Sequence, residues 1–359
     1  MGKLKVGFVG CGGIAQNKHL KSLAKINQTK VAAFCDIDAE IAEMAKNKYG
    51  TPKAKVFTDY KELMKMDLDA VYVCTPNRSH AEITIAALDS GKHVMCEKPM
   101  AMNFAEAKLM CEAAKRNDKI LTIAYQNRWR NDAIYAKKEC EAGVLGEIYY
   151  AKAKAIRRRA VPTWGVFLNE YEQGGGPLID IGTHALDLTL WCMDNYKPKS
   201  AVGVTFHKLN NDTEPANAFG PWNPEEFTVE DSAFGFVTME NGAVILIESS
   251  WALNTLDVGE ATAILSGTKG GAEVVPGKLI INGVRHDRMY EMSPVIDTKG
   301  VDFFDGNETT PDVREQLNFL GAIQGECELV VLPEQAAVVT QILEAIYESA
   351  KIGKQVYFS

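Results

Sequence analysis

Short, nearly all-apolar runs alternate with helical periodicity over the first third of the chain. Lys5-Val6-Gly7-Phe8-Val9 leads into a glycine turn, followed by a helix to about Ile26. Val31-Ala32-Ala33-Phe34-Cys35, Lys55-Val56-Phe57, Ala70-Val71-Tyr72-Val73-Cys74, His93-Val94-Met95-Cys96 and residues 120–124 are further strand-like runs. Between them, residues 38–48, 60–66, 79–90 and 103–116 read as helices, with Gly91 as a stop signal. Continuous apolar strands are those buried on both faces. Their alternation with helices through short links predicts a doubly wound parallel sheet of α/β class.

Beyond residue 130 the rhythm changes. Residues 148–158 read as one extended stretch, and residues 177–195 as one helix behind a glycine run. Strands dominate from 200 to 285. Residues 231–240 and 243–251 flank Asn241-Gly242, a strong hairpin signal, and further strands fall near 261–267 and 278–282. Residues 210–228 lack periodicity and read as a long loop, and residues 311–325 and 333–351 return to helical spacing. The pattern predicts an α+β second domain, an open, mostly antiparallel sheet with helices on one face. The expected division is 1–125 and 126–359, with the helices at 311–351 as candidates to pack back on the first domain.

Composition narrows the classes of function. The chain has 359 residues, 46% hydrophobic and 24% charged, as an ordinary two-domain globular protein has. The formal charge of −8 disfavours nucleic acid and anionic membrane as partners. No apolar run approaches the ~20 residues that span a bilayer, and the amino-terminal residues lack a signal-peptide pattern, so a cytosolic protein is the expectation. Eight cysteines without a C-x-x-C pair read as reduced thiols. Six scattered histidines give no metal-ligand spacing, so no metal is expected.

The sharpest motif is Gly10-Cys11-Gly12-Gly13-Ile14-Ala15, a G-x-G-x-x-A that follows the first strand directly and opens a helix. Glycines there let the backbone turn and approach a pyrophosphate, whose charge meets the helix N-terminus. Asp36 ends the second strand, where a carboxylate accepts ribose hydroxyls and repels a 2′-phosphate; NAD is therefore expected over NADP. Cys74-Thr75-Pro76-Asn77 ends another strand and reads either as a cofactor loop or as a cap for the following helix.

Two segments carry candidate reaction chemistry. Glu97-Lys98-Pro99 ends a parallel strand on the edge that bears the glycine loop. In Gly174-Gly175-Gly176-Pro177-Leu178-Ile179-Asp180-Ile181-Gly182-Thr183-His184-Ala185-Leu186-Asp187, helical spacing puts Asp180, His184 and Asp187 on one face. A carboxylate one turn from an imidazole orients it and raises its basicity. The three glycines would allow close backbone approach. Arg157-Arg158-Arg159-Ala160-Val161-Pro162-Thr163-Trp164-Gly165 offers Arg157 and Trp164 either to a sugar or to ion pairing and core packing.

The order G-x-G-x-x-A, Asp36, Cys-Thr-Pro-Asn, Glu-Lys-Pro and Gly-Gly-Gly-x3-Asp-x3-His resembles the glucose–fructose oxidoreductase and inositol dehydrogenase (Gfo/Idh/MocA) family over nearly the whole chain. The resemblance implies an NAD-dependent oxidoreductase acting on a secondary alcohol of a sugar, cyclitol or sugar derivative. It implies Lys98, Asp180 and His184 as catalytic residues, with His184 the base. It implies a cofactor set of Gly10, Gly12, Gly13, Ile14, Ala15, Asp36, Thr75, Pro76, Asn77, His80, Glu97, Lys98 and Gln126. Substrate contacts are expected from Lys98, Asn127, Arg128, Arg157, Trp164, Asp180 and His184. The second domain's sheet would build a homo-dimer or homo-tetramer. A member that retains its NAD and acts as a sugar oxidoreductase or an oxidation–elimination glycosidase, and a non-catalytic NAD-binding regulator, are the competing readings.

Overall fold

The computed structural model describes residues 2–212, 216–296 and 309–358. Part of the expected 210–228 loop, residues 213–215, lies outside them. The described residues form two compact units, 2–126 with 309–337 and 127–296 with 338–358.

The first unit holds six strands: β1 (Leu4–Val9), β2 (Thr29–Cys35), β3 (Lys55–Phe57), β4 (Ala70–Val73), β5 (His93–Cys96) and β6 (Leu121–Ile123). All pair in parallel, in the order β3-β2-β1-β4-β5-β6. Phe8 on β1 stands between Phe34 and Tyr72 in register, with ring centroids 6.4 and 4.6 Å away. Helix starts follow from the caps that the sequence supplies. Asp38 accepts from the Glu40 amide ahead of Ala39–Tyr49, and Asn103 from Glu106 ahead of Phe104–Arg116. The strand order reverses between β1 and β4, so the loops leaving those strands flank a crevice where such sheets bind ligands.

The helix Pro311–Gln324 belongs to this unit because Phe319 and Leu320 are buried in its core, Phe319 edge-on to Tyr72 at 5.8 Å. The helix Pro333–Ile352 gives residues through 337 to the first unit and the remainder to the second.

The second unit holds β7 (Ile148–Ile156), β8 (Pro198–Phe206), β9 (Ser232–Met239), β10 (Val244–Ser250), β11 (Gly259–Gly267), β12 (Gly270–Val275), β13 (Lys278–Arg285), β14 (Arg288–Met292) and β15 (Val356–Tyr357). They form one sheet, β14-β13-β12-β11-β7-β10-β9-β8-β15, antiparallel except where β10 runs parallel to β7. Neither β12, which opens on two glycines, nor β14, whose apolar Met289, Tyr290 and Met292 are interrupted by charge, has a continuous apolar run, which is why the pattern missed both. One face buries Ala151, Ala153, Ile245, Ile247, Ala263 and Leu265, and the helix Thr183–Met193 packs across β7 and β11 on it. Ile346 covers Gly203 and Gly235, where an added Cβ would stand within 2.6 and 2.7 Å of its side chain. On the opposite face Val202, Val204, Phe206 and Phe236 are exposed. No helix among the described residues is long and apolar enough to cross a membrane.

Candidate active site

In the first unit the glycine loop is shaped by the strand beside it. Gly10 has φ +85°, and a Cβ there would lie 2.5 Å from the Cys74 carbonyl and 2.8 Å from the Thr75 nitrogen. This glycine therefore serves the turn and the neighbouring loop. Gly12 differs: a Cβ there would meet nothing within 4 Å, so its surroundings are open space in front of the helix that follows. Gly13 and Ile14 begin that helix, which widens into a π-helical stretch, Ala15–Leu20, with Ala15 wholly buried. Asp36 is fixed at the mouth of the loop. Its Oδ2 accepts from the Cys11 amide at 2.8 Å, and its Oδ1 from the Asp38 amide at 3.1 Å.

Across the crevice, Thr75 Oγ1 is buried without a hydrogen-bond partner among the described residues. A buried hydroxyl in that state costs free energy until something bonds to it. The open space at Gly12, the fixed Asp36 and this hydroxyl together fit a dinucleotide. Pro76 is exposed and Asn77 is buried in the first turn of the next helix. His80 is placed differently from expectation. Its ring nitrogens face two backbone carbonyls, Pro99 at 2.7 Å and Thr75 at 2.9 Å. Burial lowers its pKa while those carbonyls pull the other way. It ties the Thr75 loop to the Lys98-Pro99 turn instead of presenting a ring nitrogen to a ligand.

Glu97 is also spent internally. Its Oε1 receives Lys18 Nζ at 3.1 Å and His19 Nε2 at 2.7 Å, and its Oε2 accepts from the Lys98 amide at 3.1 Å. Gln316 Nε2 lies 3.0 Å from His19 Nδ1, so the same imidazole bridges Glu97 and the returning helix. Burial opposes the Glu97 charge, but Lys18 and His19 outweigh it and hold the carboxyl well below the usual range. Lys18 also meets Glu315 at 3.1 Å and the Gln126 side-chain oxygen at 3.3 Å. One buried network thus joins the helix after the glycine loop, the strand end bearing half-buried Lys98, Gln126 and the returning helix at 311–324. Sequence reading missed Lys18, His19, Glu315 and Gln316.

In the second unit, Asp180 and His184 are both buried. Asp180 lies in a π-helical stretch, Leu178–Gly182, ahead of the regular helix Thr183–Met193. Trp251 Nε1 donates to its Oδ2 at 3.0 Å. The wider turn alters the simple i, i+4, i+7 face. Asp187 is drawn into another role: it forms a fully buried ion pair with Arg128 at 2.6 Å. Arg128 was expected to touch substrate; with no exposure and its guanidinium on Asp187, it is a core brace instead. Asn127 accepts from Arg130 at 3.3 Å. Arg157 makes a two-pronged pair with Glu260, both contacts 2.7 Å, so the ion-pairing alternative holds for it. Trp164 is 52% exposed, which removes the core-packing alternative.

The glycine run has a cause within the unit. A Cβ on Gly175 would fall 2.1 Å from the Tyr347 hydroxyl, and one on Gly176 2.2 Å from the Glu230 carbonyl oxygen. The Glu230 carboxylate accepts from the amides of Gly176 (2.8 Å) and Leu178 (3.2 Å) and from the Tyr347 hydroxyl (2.8 Å). Burial raises its pKa to about 7 against those donors.

Residues 4–125 match the model described as "Oxidoreductase family, NAD-binding Rossmann fold", and residues 137–358 its "C-terminal alpha/beta domain". The chain belongs to the Gfo/Idh/MocA oxidoreductase family. It is 34% identical over 354 residues, 98% of this chain and 97% of the relative, to D-glucoside 3-dehydrogenase of Escherichia coli K12. Inositol 2-dehydrogenase of Salmonella typhimurium is 31% identical over 198 residues, 54% of this chain and 56% of that protein. Among solved structures, levoglucosan dehydrogenase in complex with NADH shares the fold at TM-score 0.81 and 23% identity, over 99% of both chains. The chain is thus an NAD-binding oxidoreductase with the family's two-part architecture.

Proposed function

We propose that this chain is a dehydrogenase of a secondary ring hydroxyl on a sugar, cyclitol or sugar derivative, with His184 as base. The observation that carries the reading is its full-length similarity to a glucoside 3-dehydrogenase. Gly12, Gly13, Asp36, Thr75 and Asn77 would hold NAD, which when bound supplies the hydride acceptor that side chains lack. His184 takes the proton of the reacting hydroxyl, and Asp180, fixed by Trp251, steadies the imidazolium. Lys98, whose backbone is fixed by Glu97, would supply a cationic donor that offsets negative charge developing on a substrate oxygen. Base catalysis of this kind is worth about 10²–10⁴ in rate. The test is NADH absorbance with purified protein against inositols, aldoses, sugar acids and glycosides. Accumulating NADH supports a dehydrogenase that releases its cofactor; none with any alcohol overturns it.

We also propose that the exposed Val202, Val204, Phe206 and Phe236 are covered by a second copy of the chain, since monomers seldom expose such contiguous apolar surface. Sedimentation should return a multiple of 39.4 kDa. All eight cysteines are free thiols, in keeping with a reducing, cytosolic setting.

A further inference from the structure

The loop that leaves β7 carries an aromatic side chain that faces solvent. Trp164 and Phe219 are 52% and 46% exposed, their rings 4.8 Å apart and perpendicular, with Phe167 5.7 Å from the indole. Exposed aromatics in a mobile loop would mean little, but this pair is clamped. Asn217 accepts from the Val161 amide at 2.8 Å and donates to the Val161 and Gly220 carbonyls at 2.9 and 2.7 Å. The Ala218 amide donates to the Arg159 carbonyl at 3.1 Å, and the Thr163 hydroxyl to the Phe219 carbonyl at 2.6 Å.

The clamp is continuous with the proposed proton-handling residues of the same unit. The Ala160 amide donates to the Trp251 carbonyl at 2.9 Å, and the Trp251 indole holds Asp180 at 3.0 Å. A second route runs beneath it. Trp251 packs on Phe227 (6.2 Å) and Phe227 on Trp222 (5.9 Å), three residues beyond Phe219. Hydrogen bonds and a row of buried aromatics thus connect the exposed rings to Asp180. A rigid, solvent-facing indole with a perpendicular phenyl is a surface for stacking a flat apolar face, at little entropic cost because it is already ordered.

We propose that Trp164 and Phe219 form a second subsite, which stacks against the group glycosidically attached to the sugar that reacts. The occupant is a ring with an apolar face, either an aromatic aglycone or the C–H face of a second pyranose. This inference rests on the reading that the chain oxidises a sugar hydroxyl. It deepens that reading by assigning Trp164 and Phe219 to hold the ring attached to the reacting sugar.

The experiment has two arms on the full-length protein. Ligand-observed saturation-transfer NMR with phenyl β-D-glucoside, cellobiose and methyl β-D-glucoside reads binding without turnover. Strong saturation of the phenyl or of the outer pyranose, lost in Trp164→Ala and Phe219→Ala and partly restored in Trp164→Phe, is the expected result. Whichever of the first two ligands shows it identifies the source of the ring. Absence of saturation on both in the wild type overturns the subsite. The second arm takes the ratio of kcat/KM for the better of these two ligands to that for methyl glucoside. Each alanine variant should lower it about tenfold, as expected for losing an apolar contact to substrate; a change below twofold overturns the proposal. Failure of the oxidation reading would appear separately, as no NADH from any glycoside while ring saturation persists.

Discussion

Trp251 donates its indole N–H to Asp180 Oδ2 at 3.0 Å, from a side chain with no exposure to solvent. A hydrogen bond to a charged group contributes about 1.5–3 kcal/mol, and here it also fixes which way the carboxylate faces. Trp251→Phe should keep most of the packing and lose that orientation. The expected effect is a fall in kcat of about tenfold or more, with NADH affinity by fluorescence titration within threefold. Unchanged kcat would show that the indole only fills space.

Glu230 gives the protein a built-in pH dependence of stability. Its pKa is about 7 in the fold, against about 4.3 when unfolded, because burial outweighs its three donors. Between those values the folded state binds the extra proton, so stability falls as pH rises through that window. The full effect is of order 3–4 kcal/mol. Glu230→Gln should flatten the dependence of the melting temperature between pH 5 and 8. Parallel curves for the two proteins would show that Glu230 does not titrate there.

Asp36 tests the cofactor assignment. Its carboxylate is pinned by the Cys11 and Asp38 amides at the mouth of the glycine loop, where it would meet a ribose or repel a 2′-phosphate. Asp36→Ser should lower the preference for NAD over NADP at least tenfold, read as the ratio of kcat/KM values. An unaltered ratio would remove Asp36 from ribose recognition.

The sequence carried the fold well where local signals agree with the global one. Short apolar runs alternating with helices, three of them capped by Asp38, Asp59 and Asn103, left little choice but a parallel sheet, and Asn241-Gly242 marked the β9–β10 hairpin with Gly242 at φ +85°. Legibility failed where a contact joins distant segments. Gln316 and His19 are 297 residues apart, and no periodicity announces that their side chains meet at 3.0 Å. The glycines before Pro177 did signal close approach, but the approaching groups are Tyr347 and Glu230 of the chain itself. Arg128 was expected as a substrate contact because the family resemblance places its segment at the site. Only the fold reveals that Asp187 neutralises it in the core.

The most direct test of the account is the pair Lys98→Met and His184→Gln, measured for single-turnover rate with a sugar that wild type oxidises, alongside NADH affinity. Each should slow the chemical step by 10² or more, and NADH should bind within threefold of wild type. A chemical step within fivefold of wild type in both variants, with the cofactor bound, would contradict the account.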